Sequence, residues 1–277
     1  MMSQPPVLHT AIWQEQPEAD NPFATKQALC HGYDVYGEVL KKASFIEYLY
    51  LLFKGERPTA QQALLLDKLA IVVANAGPRD HSVRAAMNGG VGGSTAAGCL
   101  MAALAVGAGQ YCGAHEVFHA LNIWQFAQQD VNRCQQAMSQ LLANKEVDIW
   151  QPMEHVAGFD PHGVTCPTII VQSLAYLASL MPNGQLAWLF NHRPQLEQMA
   201  QGTLAMTGVF AAACLDLGLN AEQAEMLFLQ LRLSGAAVHA LEQQQLGWKK
   251  FPYVSQFIDL QKNAPQFPMP NIEEFGL

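Results

Sequence analysis

Two histidines and a glutamate at 115–119, in the order H-E-V-F-H, could perform metal chemistry. On a helix, His115 and His119 share one face, so both imidazoles could bind one zinc ion while Glu116 activates a water molecule. Glu146, farther along the chain, is a candidate third ligand. Because such short patterns often arise by chance and no further ligand motif follows His119, we expect no bound metal. A zinc hydrolase is a minor alternative.

Other patterns that often indicate catalysis are incomplete. The glycine-rich stretch at 89–93 lacks the G-K-[S/T] ending of a phosphate-binding loop, so we expect these glycines to serve close helix packing. The chain has no G-x-S-x-G turn for a nucleophilic serine. The six cysteines include no C-x-x-C pair, which indicates buried, reduced thiols of a cytoplasmic protein.

Composition limits the class of protein and its partners. Of 277 residues, 50% are hydrophobic and only 14% are charged, so the chain can bury a large core and has few charges to coat its surface. We therefore expect part of the surface to be covered in a homodimer. The formal charge of −8 argues against a nucleic-acid partner and against an anionic membrane, since both need clustered cations.

The sequence predicts no membrane segment and no export signal. The most apolar stretch, 94–109, is shorter than the roughly 20 residues that span a bilayer. Residues 1–20 lack a basic start followed by an apolar core. These features predict a cytoplasmic protein.

The spacing of apolar residues predicts helices and no convincing strand, hence an all-α fold. Capping signals are present at Ser44 and Asn220, each followed three residues later by Glu or Gln. The predicted helices are 45–53, 60–75, 94–109, 111–128, 130–150, 168–181, 195–217 and 221–245. Ser94 is the expected N-cap of the third helix, and residues 1–27 are expected to be irregular.

Several segments, taken in order, resemble the citrate synthase superfamily, which includes citryl-CoA lyases and the synthase-like module of ATP-citrate lyase. The matching segments are H-G-Y-D-V at 31–35, S-F-I-E at 44–47, L-L-F-K-G-E-R-P-T at 51–59, D-H at 80–81, G-A-H-E at 113–116, G-F at 158–159, L-D-L-G-L at 215–219, and the stretch 227–243 with its arginine, glycine and histidine. Each match is short, but their common order along most of the chain is specific.

The resemblance implies an all-α, citrate synthase-like fold with a large and a small helical domain. The large domain would comprise 28–154 and 241–277, and the small domain 155–240. It also implies a homodimer built on helices, for which 94–109 and the helix around Ala211 are the candidate surfaces.

The resemblance further implies a chemistry in which a carbon–carbon bond forms or breaks between an acyl-CoA and an oxo acid. In the family an aspartate removes a proton from the acyl group, histidines serve the enolate and the carbonyl, and arginines bind carboxylates. His81 and Arg232 stand where the family binds the acid, and His239 follows Arg232 by two helical turns on the same face. Lys249 and Lys250 are candidate partners of the CoA phosphates, and no permanently bound cofactor is expected.

The catalytic positions of the family are altered in this sequence. Tyr111 replaces the first histidine of H-G-G-A-N-E, and Cys112 replaces the glycine after it. Pro161 takes the position of the histidine in G-F-G-H, unless His162 serves with a shift of one residue. Thr207 stands in place of the catalytic aspartate.

A remodelled site could still perform the reaction with other groups. Threonine is not a base at neutral pH, so His162 or His115 would have to replace the base at position 207, with Tyr111 as the donor to the enolate. We therefore expect acetyl-CoA and oxaloacetate to be a poor substrate pair, while a carboxylate still binds through His81 and Arg232.

The sequence leaves two main functions open. One is an enzyme of this chemistry with an altered site, acting on an acyl-CoA and a small carboxylic acid, which the presence of His81 and Arg232 favours. The other is a non-catalytic paralogue that binds a ligand or pairs with an active subunit. In that case Arg232 could pair with a local carboxylate and His239 could have a polar neighbour in the core.

Overall fold

The chain is largely helical in the residues that this computed structural model describes, 9–144 and 152–251. The helices are α1 (Leu40–Lys42), α2 (Phe45–Lys54), α3 (Ala60–Ala74), α4 (His81–Val91), α5 (Ala96–Gly107), α6 (Ala114–Ala127), α7 (Val131–Ala143), α8 (Thr168–Leu180), α9 (Gln185–Ala200), α10 (Met206–Asp216) and α11 (Ala221–Leu246). The strands are β1 (Gln14–Pro17), β2 (Thr25–Cys30), β3 (Tyr33–Asp34), β4 (Phe159–Asp160) and β5 (Thr203–Leu204), and short π and 3-10 turns lie at Val35–Val39 and Trp248–Lys250. The all-α class is confirmed.

Two predicted helix starts have the expected capping geometry. The Ser44 side chain accepts a hydrogen bond from the Glu47 amide while the Glu47 carboxylate accepts one from the Ser44 amide. Asn220 and Gln223 form the same reciprocal pair at the start of α11. Each pair satisfies amides that have no partner within the helix, so the sequence defines these boundaries locally.

The core forms where α6 packs against α10 and α11. Trp124 of α6 is fully buried, and its indole Nε1 donates a hydrogen bond to the Gly208 carbonyl of α10 at 3.1 Å. One connected cluster of buried side chains extends through α3, α6, α8, α9, α10 and α11. Because this cluster includes residues on both sides of position 155, the division into a large and a small domain stays a prediction.

The predicted helix at 195–217 is wrong, because the structure has two helices there. The chain leaves α9 at Gln201, which adopts a left-handed φ of 52°, and then forms β5. β5 pairs antiparallel with β4, with Phe159 opposite Leu204 and Asp160 opposite Thr203. Local periodicity could not reveal this pairing of segments far apart in sequence.

The glycine-rich stretch forms the end of a helix, α4, that was not predicted from the sequence. A Cβ at Gly90 would collide with the Ala240 backbone of α11, so glycine permits the close approach of the two helices, as expected. The N-cap of the apolar helix that follows is Thr95, one residue after the predicted Ser94, and the Thr95 side chain accepts a hydrogen bond from the Gly98 amide.

The segment expected to be irregular contains β1, which pairs with β2 in an antiparallel ribbon. All four residues of β1 are exposed, so the strand shows no apolar alternation from which to predict it. The helix predicted over 130–150 is too long, because α7 ends at Ala143 and Asn144 adopts an extended conformation. Residues 1–8 and Glu146 lie outside the described ranges.

The two candidate dimer surfaces differ in exposure. Ala211 is fully buried within the chain, because α10 packs against α6 and α9, so it cannot form a surface. Helix α5 leaves Met101 and Val106 exposed, and the homodimer stays a prediction that rests on this helix. No helix in the described parts of the chain combines the length and apolar character needed to cross a bilayer.

Helix α9 is capped by a side chain from another helix. Its N-cap is Gly184, which has no side chain, and Asp216 of α10 accepts hydrogen bonds from the amides of Gln185 at 2.6 Å and Leu186 at 3.0 Å. We expect Asp216→Ala to lower the free energy of unfolding by about 1 kcal/mol, as loss of a helix cap does, measured by urea denaturation.

The matched variant Asp216→Asn keeps one hydrogen-bond acceptor, so its free energy of unfolding should fall by less than that of Asp216→Ala. Burial raises the pKa of Asp216, so the folded protein holds this proton more tightly than the unfolded chain. The stability of the wild type relative to Asp216→Asn should therefore fall as pH rises through the folded pKa. A loss for Asp216→Ala no larger than that of a surface substitution would contradict the capping role.

Candidate active site

Tyr111 lies at the centre of a group of imidazole rings. Its ring centroid is 6.3 Å from that of His81, 5.5 Å from that of His155 and 6.1 Å from that of His162. His81 begins α4, His155 precedes β4, and His162 follows β4. Two of the histidines predicted from sequence, His81 and His162, are thus brought to the predicted tyrosine. We call these four residues the Tyr111 cluster.

Asp160 fixes the Tyr111 hydroxyl. The hydroxyl donates a hydrogen bond to Asp160 Oδ1 at 3.2 Å, and the backbone amide of His162 donates to the same oxygen at 2.9 Å. Burial, and then the neighbouring Cys112 and Asp160, raise the pKa of Tyr111 to about 12. The phenol is therefore protonated at neutral pH and serves as a hydrogen-bond donor.

Glu116 holds together the two loops that supply the Tyr111 cluster. Its side chain is 1% exposed and accepts hydrogen bonds from the backbone amides of Cys112 at 2.5 Å and Gly158 at 2.9 Å. His155 Nε2 lies 3.6 Å from the same carboxylate. Both oxygens thus face backbone donors, which leaves Glu116 poorly placed to activate a water molecule on zinc.

Cys112 adopts an unusual backbone conformation beside Tyr111. Its φ is 53°, in the left-handed region that costs a residue with a Cβ roughly 1–2 kcal/mol. Glu116 accepts its amide hydrogen, and Arg232 Nη1 donates to its carbonyl at 3.1 Å. Burial raises the pKa of its thiol to about 12, so this cysteine is not a reactive thiolate at neutral pH.

A cleft of about 230 Å³ adjoins these residues. Its lining residues are Val72, Val73, Asn75, Ala76, Asp80, Cys112, Ile169, Ile170, Ala205, Met206, Thr207, Phe228 and Arg232. Thr207 is 3% exposed, and its Oγ1 has no hydrogen-bond partner among the described residues. A buried hydroxyl in this state is available to a ligand in the cleft.

The loop with Asp160 and His162 packs directly on the helix that carries Thr207. Gly158 has φ +86° and would collide with Gly208 if it had a Cβ, so the tight approach requires glycine. The Gly158 carbonyl accepts a hydrogen bond from the Ala205 amide at 2.9 Å. Cys112 and Asp80, which line the cleft, directly adjoin Tyr111 and His81 in the chain, so the cleft lies next to the Tyr111 cluster.

Arg232 is already paired within the protein. Its Nη2 donates to Asp80 Oδ2 in a partly buried ion pair, and its guanidinium lies 4.7 Å from the centre of the Phe228 ring. The other Asp80 oxygen accepts hydrogen bonds from the amides of Ser82 and Val83 and thereby caps α4. This is the local carboxylate pairing considered from sequence, and the binding of a substrate carboxylate by Arg232 stays a prediction.

The remaining predicted site residues lie outside the Tyr111 cluster. His239 Nε2 is 3.0 Å from the Asn75 amide oxygen, and Asn75 lines the cleft. Lys249 and Lys250 are exposed beyond α11. His115 faces α11, with its Nδ1 atom 3.3 Å from Glu225 Oε1. The roles of these residues stay predictions.

The two histidines of the metal-like motif do face each other. His115 Nε2 lies 3.1 Å from His119 Nε2. Burial, and then His115, lower the pKa of His119 to about 4, so its ring is neutral near pH 7. In the described residues, no group of three or more His, Cys, Asp or Glu side chains is arranged to hold a metal ion.

Two residues of the site, His155 and Asp160, were not predicted from the sequence. Asp160 occupies the third position of the segment that resembles G-F-G-H, where a carboxylate replaces a glycine, and this replacement was a usable signal. His155 had no comparable signal, because it precedes the matching segment and only folding brings it to Glu116.

Solved structures share this arrangement of helices. Citryl-CoA lyase from Hydrogenobacter thermophilus is 16% identical, with a TM-score of 0.68 over 98% of this chain and 100% of its own. ATP citrate lyase from Methanothrix soehngenii, in complex with citrate and coenzyme A, is 16% identical, with a TM-score of 0.68 over 94% of this chain and 42% of its own. Citrate synthase from Thermoplasma acidophilum, in a ternary complex with carboxymethyl coenzyme A and oxaloacetate, is 16% identical, with a TM-score of 0.54 over 80% of this chain and 59% of its own.

The chain has the citrate synthase superfamily fold. The fold expected from the resemblance is thus confirmed. No protein-family model and no curated protein matches the sequence. At 16% identity the likeness establishes the fold, and the activity has to be argued from the side chains of the site.

Replacing the buried carboxylate should destabilise the protein. Glu116→Gln turns one acceptor into an amide that faces a backbone donor, so we expect a loss of about 1–3 kcal/mol in the free energy of unfolding, measured by urea denaturation. Glu225→Gln is the matched control, since Glu225 is more exposed and contacts only one imidazole among the contacts described for it. Equal and small losses in both variants would show that Glu116 does not hold the loops together.

The zinc prediction follows from the same geometry. Because backbone amides occupy both oxygens of Glu116, we expect protein purified without added metal to contain no stoichiometric zinc by elemental analysis. One zinc ion per chain that is lost in His119→Ala would overturn this expectation and favour the hydrolase.

Proposed function

We propose that this protein is a citrate synthase-like enzyme that forms or cleaves a carbon–carbon bond between an acyl-CoA and an oxo or carboxylic acid. The observation on which the proposal rests is the Tyr111 cluster, in which a protonated phenol meets three imidazoles beside a cleft. The fold adds support, because the neighbours with this fold include a citryl-CoA lyase and an ATP citrate lyase bound to citrate and coenzyme A. The substrates are a CoA thioester and a small carboxylic acid.

In the direction of bond formation, His162 removes a proton from the carbon next to the thioester carbonyl. The electron pair of that C–H bond becomes an enolate, and the Tyr111 hydroxyl turns from Asp160 to donate its single proton in a hydrogen bond to the enolate oxygen. The enolate carbon then attacks the keto carbon of the acid, whose oxygen takes a proton from His81. Cleavage follows the same steps in reverse.

Asp160 acts on this chemistry through Tyr111. It accepts a hydrogen bond from the hydroxyl before the substrate binds and another from the His162 amide, so it sets the starting positions of two reacting groups. The imidazoles of the Tyr111 cluster would also hold the carboxylates of the acid, since Arg232 is engaged by Asp80. Lys249 and Lys250 are the proposed contacts of the CoA phosphates.

A non-catalytic binding subunit is the second candidate. Two observations favour it: position 207 carries no carboxylate, and the Arg232 charge is balanced inside the protein. Such a protein would bind the thioester or the acid without turnover. The homodimer and the cytoplasmic location are proposed for either function.

We expect acetyl-CoA with oxaloacetate to react slowly. A well-placed general base contributes about 10²–10⁴-fold to a rate, and the usual carboxylate at position 207 is absent. The measurement is release of the free CoA thiol from a panel of acyl-CoA and oxo acid pairs, with cleavage of citryl-CoA in parallel. Turnover of at least one pair that falls by 10²-fold or more in Tyr111→Phe and in His162→Ala supports the enzyme.

The matched control is His9→Ala, which removes an exposed histidine near the start of the described chain and should leave the rate unchanged. Fast formation of citrate from acetyl-CoA would show that a base other than the one proposed is in place. Binding of CoA with no thiol release from any pair would favour the non-catalytic subunit.

A further inference from the structure

The cleft beside Tyr111 is suited to an apolar group. Its walls include six apolar side chains, which are Val72, Val73, Ile169, Ile170, Met206 and Phe228. The volume of about 230 Å³ far exceeds the roughly 10–15 Å³ that a single water molecule requires. Replacing water by a hydrocarbon group in a space of this size, with such walls, lowers the free energy.

Among the residues that line the cleft, no unpaired positive charge is available to bind a carboxylate. Its charged lining residues are Asp80 and Arg232, and these two are paired with each other. Arg232 also donates to the Cys112 carbonyl, so its direction is fixed by two partners. An anion that entered would have to compete with Asp80 for the guanidinium and would face the Asp80 charge as well.

Among the buried side-chain polar atoms that line the cleft, the Thr207 hydroxyl has no hydrogen-bond partner in the described residues. A buried hydroxyl without a hydrogen bond is costly, so a ligand that supplies an acceptor there gains affinity. The carbonyl oxygen of a thioester is an acceptor with two lone pairs and can take a hydrogen bond from the Thr207 hydroxyl. A hydrocarbon chain with a carbonyl group can contact the apolar walls and accept a hydrogen bond from this hydroxyl.

We propose that the cleft binds the acyl chain of the thioester, that this chain is an unsubstituted hydrocarbon longer than acetyl, and that Thr207 Oγ1 donates to its carbonyl oxygen. This inference rests on the proposed use of a CoA thioester and names the class of acyl group. Position 207 then orients the substrate carbonyl, a task that does not require a base. The carboxylates of the acid bind outside the cleft.

The first test is calorimetric binding of CoA, acetyl-CoA, butyryl-CoA and hexanoyl-CoA to the intact protein. Each buried methylene should tighten binding by about fourfold until the cleft is full. Equal affinity for acetyl-CoA and hexanoyl-CoA would overturn the acyl cleft while leaving CoA binding intact. Failure of CoA and of all thioesters to bind would instead remove the proposed function itself.

Two variants test the walls and the hydroxyl. Ala76→Phe fills the cleft from an exposed loop position, so it should abolish the gain from butyryl to hexanoyl while leaving the affinity for CoA unchanged. Ala60→Phe is the matched control at an exposed position that does not line the cleft, and it should keep the gain. Thr207→Val should weaken every thioester by about three- to tenfold relative to CoA. An unchanged chain-length series in Ala76→Phe would contradict the assignment of the cleft.

The third test concerns charge. Asp80→Asn keeps the oxygen that caps α4 and releases Arg232, so citrate or oxaloacetate should bind at least tenfold more tightly than to the wild type. If the wild type already binds these acids and loses them in Arg232→Ala, the cleft is the acid site and the inference is wrong.

Discussion

The buried carboxylate of Glu116 is the constraint on which the site depends. A carboxylate removed from water is tolerated only when hydrogen bonds and charges compensate it, and here two backbone amides and the start of α6 do so. These amides belong to segments more than forty residues apart, the turn at Cys112 and the loop at Gly158. Glu116 therefore sets the positions of the side chains of the Tyr111 cluster that lie beside these two amides. It can do so without touching a substrate.

The same residue explains why the metal-like pattern misleads. A sequence pattern shows which side chains are present, whereas burial determines which reactions those side chains can take part in. In H-E-x-x-H the glutamate must reach a water molecule, but here the first turn of α6 is covered by the Gly158 loop. Covered carboxylates accept from fixed donors, and such a group positions its neighbours instead of exchanging protons.

Much of the fold could be predicted because its signals are local. The caps at Ser44 and Asn220 and the apolar spacing along α2, α3 and α11 are properties of single segments. The break between α9 and α10 could not be predicted, because it depends on a strand pair between distant residues. The site divides in the same way: short motifs pointed to Tyr111, His81 and His162, whereas His155 enters the site only through a contact with Glu116.

The substitutions at the site are consistent with one another. Relative to the pattern that the sequence resembles, a carboxylate is absent at position 207, in the wall of the cleft, and one is present at Asp160, beside the phenol. A cleft without that carboxylate, and with Arg232 paired to Asp80, is better suited to hydrocarbon than to charged groups. Burial raises the pKa of the Tyr111 phenol to about 12, so it keeps its proton and donates it in a hydrogen bond to Asp160. The proposed binding of the acyl chain and the proposed proton transfers thus use two adjacent groups of residues, the cleft and the Tyr111 cluster, so a longer chain could be accommodated without displacing the imidazoles.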